Sequence, residues 1–127
     1  RRMFGGGLYS AYLTAALALK GTEGFEERFG AAMKRATDLF AAMDDLPDVA
    51  VRRFEHGSNI FPVSLGAGVD IDAFIESLRG RSVFVYADDE DPMLIRLTVN
   101  TTILRRSVEE LLDAFREAVA AGRKAGA

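Results

Sequence analysis

At 127 residues the chain has the size of one ordinary domain, and its 49% hydrophobic and 28% charged residues are the composition of a soluble globular protein, not of a disordered or fibrous one. A net charge of −3 at pH 7, mixed in sign, leaves no basic footprint for nucleic acid and no polybasic face for a membrane. With no cysteine there is no disulfide framework, thiolate nucleophile or cysteine metal site, and a single histidine cannot build a His-rich metal site.

The first predicted helix, Leu8 to Lys20 in "LYSAYLTAALALK", is apolar nearly all round, the pattern of a helix buried on several sides. In so short a chain this calls for cover from outside these residues. Tyr9, Ser10 and Thr14 interrupt the run, which is too short to span a bilayer and lacks a signal-peptide pattern, so the cytoplasm is the expected location. After Gly21, Thr22 is the predicted N-cap of a second helix with Glu23, Glu26 and Glu27 in its first turns. Phe25, Phe29, Met33, Ala36, Phe40 and Met43 recur at three- and four-residue steps on its inner face, and Pro47 ends it.

Two strands follow: "DVAVRRF", with Val49, Val51 and Arg53 on one face, and "NIFPVSL", with Phe61, Val63 and Leu65 on one face. Pro62 has no amide to donate, which predicts a free side or a bulge there. Asp70 caps a third helix running through Arg79, with Phe74, Ile75 and Leu78 inward and Gly80 as its stop. "SVFVYA" is a strand, "DDEDP" an acidic loop and "MLIRLTV" another strand. Ser107 and Glu110 form a capping box for a last helix carrying Leu111, Leu112, Phe115 and Val119, and the tail "AGRKAGA" is expected to fray. From residue 22 onward the pattern is an α+β two-layer domain, a small, mainly antiparallel sheet with helices on one face.

The chemistry-bearing residues are few. No partner for His56, between Glu55 and Gly57 in a predicted turn, can be named from the sequence, which favours a loop role. The acidic run Asp88 to Asp91 lacks the ligand spacing of a calcium loop and reads as a solvated turn. Gly5 to Gly7 before a helix offer either an anion cradle or a flexible lead-in, and match neither the Rossmann nor the P-loop spacing. Thirteen arginines stand against three lysines, Lys20, Lys34 and Lys124. Arg96, between Ile95 and Leu97, either faces solvent from the polar side of its strand or offers a planar fork to a carboxylate.

Three segments together resemble one family. "RRMFGGGLYSAYLTAALALK" resembles the R-[KR]-x-x-GGG segment that follows the cofactor-binding lysine in the L-threonine aldolase and β-eliminating lyase family of pyridoxal-phosphate enzymes. "GSNIFPVSL" looks like that family's T-N-[MI]-[LF]-x-V strand, and "IRLTVNTTI" like the strand in which R-L-[VT]-x-[HN] presents an arginine to the substrate. The resemblance implies the C-terminal part of an enzyme of the aspartate-aminotransferase-like fold: residues 1–21 from the large cofactor domain, residues 22–127 the small domain. It further implies pyridoxal 5′-phosphate as cofactor, with Gly5, Gly6, Gly7 and Tyr9 beside it, and Arg96 pairing with the α-carboxylate of an amino-acid substrate. Leu8, Tyr9 and Ser10 stand where the family usually has Met-Arg-Gln.

The Schiff-base lysine of such an enzyme would lie before Arg1, so these residues alone are expected to be catalytically silent. The expected partners are the missing large domain, the substrate and a further copy of the same protein. Two alternatives stand beside this one: a piece of an aminotransferase or hydroxymethyltransferase, and a non-enzymatic α+β dimerisation or binding module.

Overall fold

Alternation along the strands sets the layers. In the computed structural model, which describes residues 11–55, 57–91 and 93–125, Phe61, Val63 and Leu65 are buried while Ile60 is exposed and Pro62 and Ser64 are half-covered. The elements in chain order are α1 (Ala11–Thr22), α2 (Phe25–Met43), β1 (Val49–Val51), β2 (Ile60–Leu65), α3 (Ile71–Gly80), β3 (Tyr86–Ala87), β4 (Leu94–Thr98), a 3-10 turn (Thr101–Arg105) and α4 (Val108–Ala125). The strands form one antiparallel sheet in the order β1-β2-β4-β3. The protein is therefore an α+β domain with a small antiparallel sheet.

The register pairs Val49 with Leu65, Val51 with Val63 and Val63 with Ile95, so these side chains share the inner face. Against them lie Ala36, Phe40 and Met43 of α2, Phe74 and Leu78 of α3, and Leu111, Phe115 and Val119 of α4. Phe40 meets Phe61 edge-on, with ring centroids 4.8 Å apart, and Phe74 packs against Phe115 at 6.2 Å. No polar or charged residue is buried among the described residues, so the core is an apolar seal between one sheet face and three helices.

The caps form where short-range chemistry dictates them. The Asp70 carboxylate accepts the amide of Ala73 at 2.8 Å and starts α3. Glu110 accepts the amide of Ser107 at 2.8 Å while the Ser107 hydroxyl accepts the amide of Glu110 at 3.1 Å, so two otherwise unpaired amides at the start of α4 are satisfied reciprocally.

Several expectations are corrected. Thr22 does not cap α2: it is the last residue of α1, and its hydroxyl donates to the carbonyl of Leu19 at 2.7 Å. The break falls at Gly24, whose φ of 61° is open to glycine at little cost, and Arg28 donates back to the carbonyls of Glu23 and Gly21 at 2.5 and 3.2 Å. Phe25 is exposed and Phe29 only half-covered, stacked on each other at 5.4 Å, because the first turns of α2 are not covered by the core. Arg53 does not extend β1. The strand ends at Val51, and Arg53 pairs with Asp44 at the end of α2 at 2.7 Å.

Pro62 lies on the inner strand β2, and the end of β1 gives it the free side expected there. Its carbonyl accepts the amide of Arg52 at 2.9 Å, so its donor-less nitrogen faces the same side, where β1 has just ended. The strand expected over "SVFVYA" is reduced to Tyr86–Ala87, a short edge that leaves few groups free for stray pairing. The tail does not fray before Ala125: Gly122 is buried, and its carbonyl accepts the amide of Asp70 at 3.2 Å.

Helix α1 stands apart from this core. None of its residues is buried, and Tyr12, Leu13, Leu17 and Leu19 are all exposed. No helix among the described residues is long and apolar enough to cross a membrane.

Candidate functional site

The sheet face away from the helices carries the candidate site. Cross-strand pairing puts Pro62 opposite Arg96 and Arg96 opposite Tyr86, one row across three strands with the arginine in the middle. The neighbouring rows on this face hold Ile60 with Thr98 and Ser64 with Leu94. Arg96 thus stands on the open face of β4 while its chain neighbours Ile95 and Leu97 turn toward the covered side. No burial cost arises, because its side chain keeps 43% of its surface in solvent.

Two carboxylates hold its guanidinium. Arg96 Nη2 donates to Asp89 Oδ2 at 2.9 Å, and Arg96 Nε lies 3.2 Å from Asp88 Oδ2 in an ion pair. The two aspartates differ sharply in how they are fixed. Asp88 Oδ1 accepts the amides of Glu90 at 2.9 Å and Asp91 at 3.3 Å, its own amide donates to Leu94 at 2.8 Å, and its side chain is 20% exposed. Asp89 is 91% exposed and, among the described residues, holds only the arginine.

The charge state of Asp88 follows from that cradle. The amide of Glu90 is the largest cause holding its carboxyl below the ordinary value of 3.8; partial burial opposes this, and the amide of Asp91 and the charge of Arg96 add to the lowering. Asp91 in turn accepts the amide of Met93 at 2.9 Å, so the acidic loop is fastened to its own backbone.

Of the residues expected from the sequence to bind a ligand, Arg96 lies in this arrangement. Gly5, Gly6, Gly7, Tyr9 and His56 lie outside the described residues. Asp88 and Asp89, read from the sequence as a solvated turn, are the partners that reading missed. The signal was the hairpin register: with Tyr86 opposite Arg96, alternation returns Asp88 to the open face beside the arginine. Among the described residues no group of three or more histidines or carboxylates is placed to hold a metal ion.

A second concave feature, a cleft of about 460 Å³, opens between the lead-in to β3, the end of β4 and the 3-10 turn. Val83, Phe84, Leu97 and Ile103 supply its apolar wall and Asn100 and Arg105 polar groups, and Arg96 is not part of it. Arg106 also lines it and is held in place, donating to the carbonyl of Arg81 at 2.5 Å while its own carbonyl accepts from Arg35.

No described lysine lies on the open sheet face with Arg96 to hold a pyridoxal cofactor. Lys34 and Lys124 belong to α2 and α4, which cover the opposite side of the sheet from Arg96, and Lys20 belongs to the detached α1. What the open face offers is a guanidinium with the geometry for a carboxylate. Among known proteins the chain matches no family model and no curated sequence.

Proposed function

We propose that this chain is the C-terminal part of a pyridoxal-phosphate-dependent amino-acid lyase of the threonine aldolase type, with residues 22–127 its small domain, and that Arg96 binds the α-carboxylate of its substrate. The observation that supports the reading is the position of Arg96: central on the sheet face left free by the helices, half-exposed, with its fork already engaged by carboxylates. A group that binds aspartate side chains in this geometry has the donors to bind an amino acid's carboxylate in the same way.

In this reading the chain contributes binding and orientation. A fixed α-carboxylate restricts rotation about the bond to Cα, and so decides which substituent of Cα stands where it can be cleaved. Retro-aldol cleavage of a β-hydroxy amino acid to glycine and an aldehyde, or loss of a β-substituent, is the chemistry that the complete enzyme would run with its cofactor. The cofactor's lysine would lie outside this chain, with Gly5, Gly6, Gly7 and Tyr9 beside the cofactor, in a cytoplasmic homo-oligomer.

The test is made on the full-length protein that carries these residues. After incubation with pyridoxal phosphate and borohydride reduction, a single modified lysine outside Arg1–Ala127 is expected by mass spectrometry. Glycine and an aldehyde from a β-hydroxy amino acid mark the lyase, and a keto acid marks an aminotransferase instead. No modified lysine at all overturns the enzyme reading in favour of a docking module, which an exposed apolar α1 suits as well.

A further inference from the structure

The two aspartates on Arg96 are not equivalent, and the difference divides their work. Asp88 is anchored by two backbone amides and its own amide is bonded to Leu94, so its carboxylate stays in place whatever happens at the arginine. Asp89 has one hydrogen bond among the described residues, to Arg96 Nη2, and is 91% exposed. The guanidinium has a third nitrogen, Nη1, with no hydrogen bond among the described residues.

We propose that Asp88 is a positioning residue that aims Arg96 through Nε, and that Asp89 is a displaceable occupant of the site an incoming carboxylate takes. The proposal rests on the reading of Arg96 as a carboxylate clamp. On binding, the ligand carboxylate replaces Asp89 at Nη2 and gains Nη1, forming a two-point contact along the end of the fork, while Asp88 keeps Nε. No covalent bond changes; one hydrogen bond is exchanged for two. An ion pair whose carboxylate is 91% exposed is a weak competitor, since it gains little from Coulomb attraction in water and immobilises two side chains. The free arginine is thus kept ordered without being blocked.

The experiment uses the 127-residue chain labelled with ¹⁵N-arginine. Acetate is titrated against chloride at constant ionic strength, and the Arg96 Nε–H signal reports both occupancy and side-chain order. Asp88→Asn and Asp89→Asn each remove one negative charge from the same guanidinium, so a purely coulombic effect moves both alike. The expected result is that D89N leaves the Nε–H signal ordered and binds acetate more tightly than the wild type. D88N is expected to lose that order, and its acetate affinity to fall short of D89N by about two- to fivefold, the span of an exposed ion pair.

Equal affinities in the two variants, or an Nε–H signal that stays ordered in D88N, overturn the division of roles while leaving Arg96 as a clamp. Acetate that produces no more response at Arg96 than chloride does, in the wild type and both variants, overturns the clamp itself. The lysine mapping on the full-length protein is independent of either outcome.

Discussion

Arg123, in the last turn of α4, reaches back to Asp48 at the entrance of β1, with Nε 2.7 Å from Asp48 Oδ2 and Nη2 on the same oxygen. Asp48 has a φ of 63°, in the left-handed region where a short polar side chain is tolerated better than a branched one, and its carbonyl accepts the amide of Gly66 at 2.9 Å. The pair therefore joins the end of the chain to the turn that launches the sheet. Both side chains are partly solvated, so the ion pair should contribute little. Arg123→Ala is expected to cost about 0.5–1 kcal/mol, within the range of exposed pairs. Asp48→Val, which puts a β-branched residue at positive φ, should cost more, about 1–3 kcal/mol. Urea midpoints of the two variants compare these directly, and a larger loss in Arg123→Ala would show that the pair matters more than the turn.

A sharper contrast is available at two helical glycines. An added Cβ at Gly122 would lie 2.6 Å from Val69 Cγ1 and 2.9 Å from the carbonyl oxygen of Asp70, where α4 passes the start of α3. At Gly30 in α2 it would meet nothing within 4 Å. Gly30→Ala is expected to stabilise the fold by about 0.5–1 kcal/mol through helix propensity. Gly122→Ala gains the same propensity but must force the backbone apart, and is expected to destabilise by about 1–3 kcal/mol. Opposite signs in thermal or urea denaturation are the outcome that this packing requires.

How much of this was legible follows from the range of each interaction. The caps at Asp70 and at Ser107 with Glu110 could be read directly, because every atom involved lies within three residues along the chain. The start of α2 could not, because Thr22 and Gly24 both offer a break and the sequence does not say which carbonyls Arg28 will satisfy. Arg53 alternates correctly with Val51, yet Asp44 draws it away as β1 ends. "AGRKAGA" has the composition of a fraying end, and only the distant Val69 and Asp70 make its glycine a packing residue. The same holds at the site. The type of residue and its strand place Arg96, but Asp88 and Asp89 join it only once the pairing of β3 with β4 is known.

Acid should weaken the protein through identifiable carboxylates. The amide and hydroxyl of Ser107, in that order, hold Glu110 below its ordinary value of 4.5, with Arg106 and Arg81 adding to the effect, and Asp88 lies below 3.8 for the reasons given. Both pKa values are lower folded than unfolded, so the unfolded chain takes up these protons first. The stabilisation is therefore complete above the ordinary values and is lost as pH falls from about 4.5 through the lower folded ones. Urea midpoints measured downward from neutrality should fall in this window. Glu110→Gln should flatten that fall, and Ser107→Ala should cost about 1 kcal/mol near neutrality as a lost N-cap. An unchanged acid slope in Glu110→Gln would remove the capping box from the account.

Helix α1 makes the last prediction, because its composition and its surroundings disagree. A helix that is apolar on every side is normally covered, yet Tyr12, Leu13, Leu17 and Leu19 all face solvent, and Phe25 adds to them at the start of α2. So many large apolar side chains on one short segment rarely stay free in water. The 127-residue chain is expected to self-associate in a concentration-dependent way, visible by sedimentation. Leu13→Ser with Leu17→Ser should abolish the association. The same double substitution should leave the urea midpoint of the monomer within about 0.5 kcal/mol of the wild type, since neither side chain belongs to the core. Loss of association together with loss of folding would mean that α1 is an integral part of the domain. Association lost with the fold intact would identify α1 as a surface made to be covered, which is what both the lyase fragment and the docking module require.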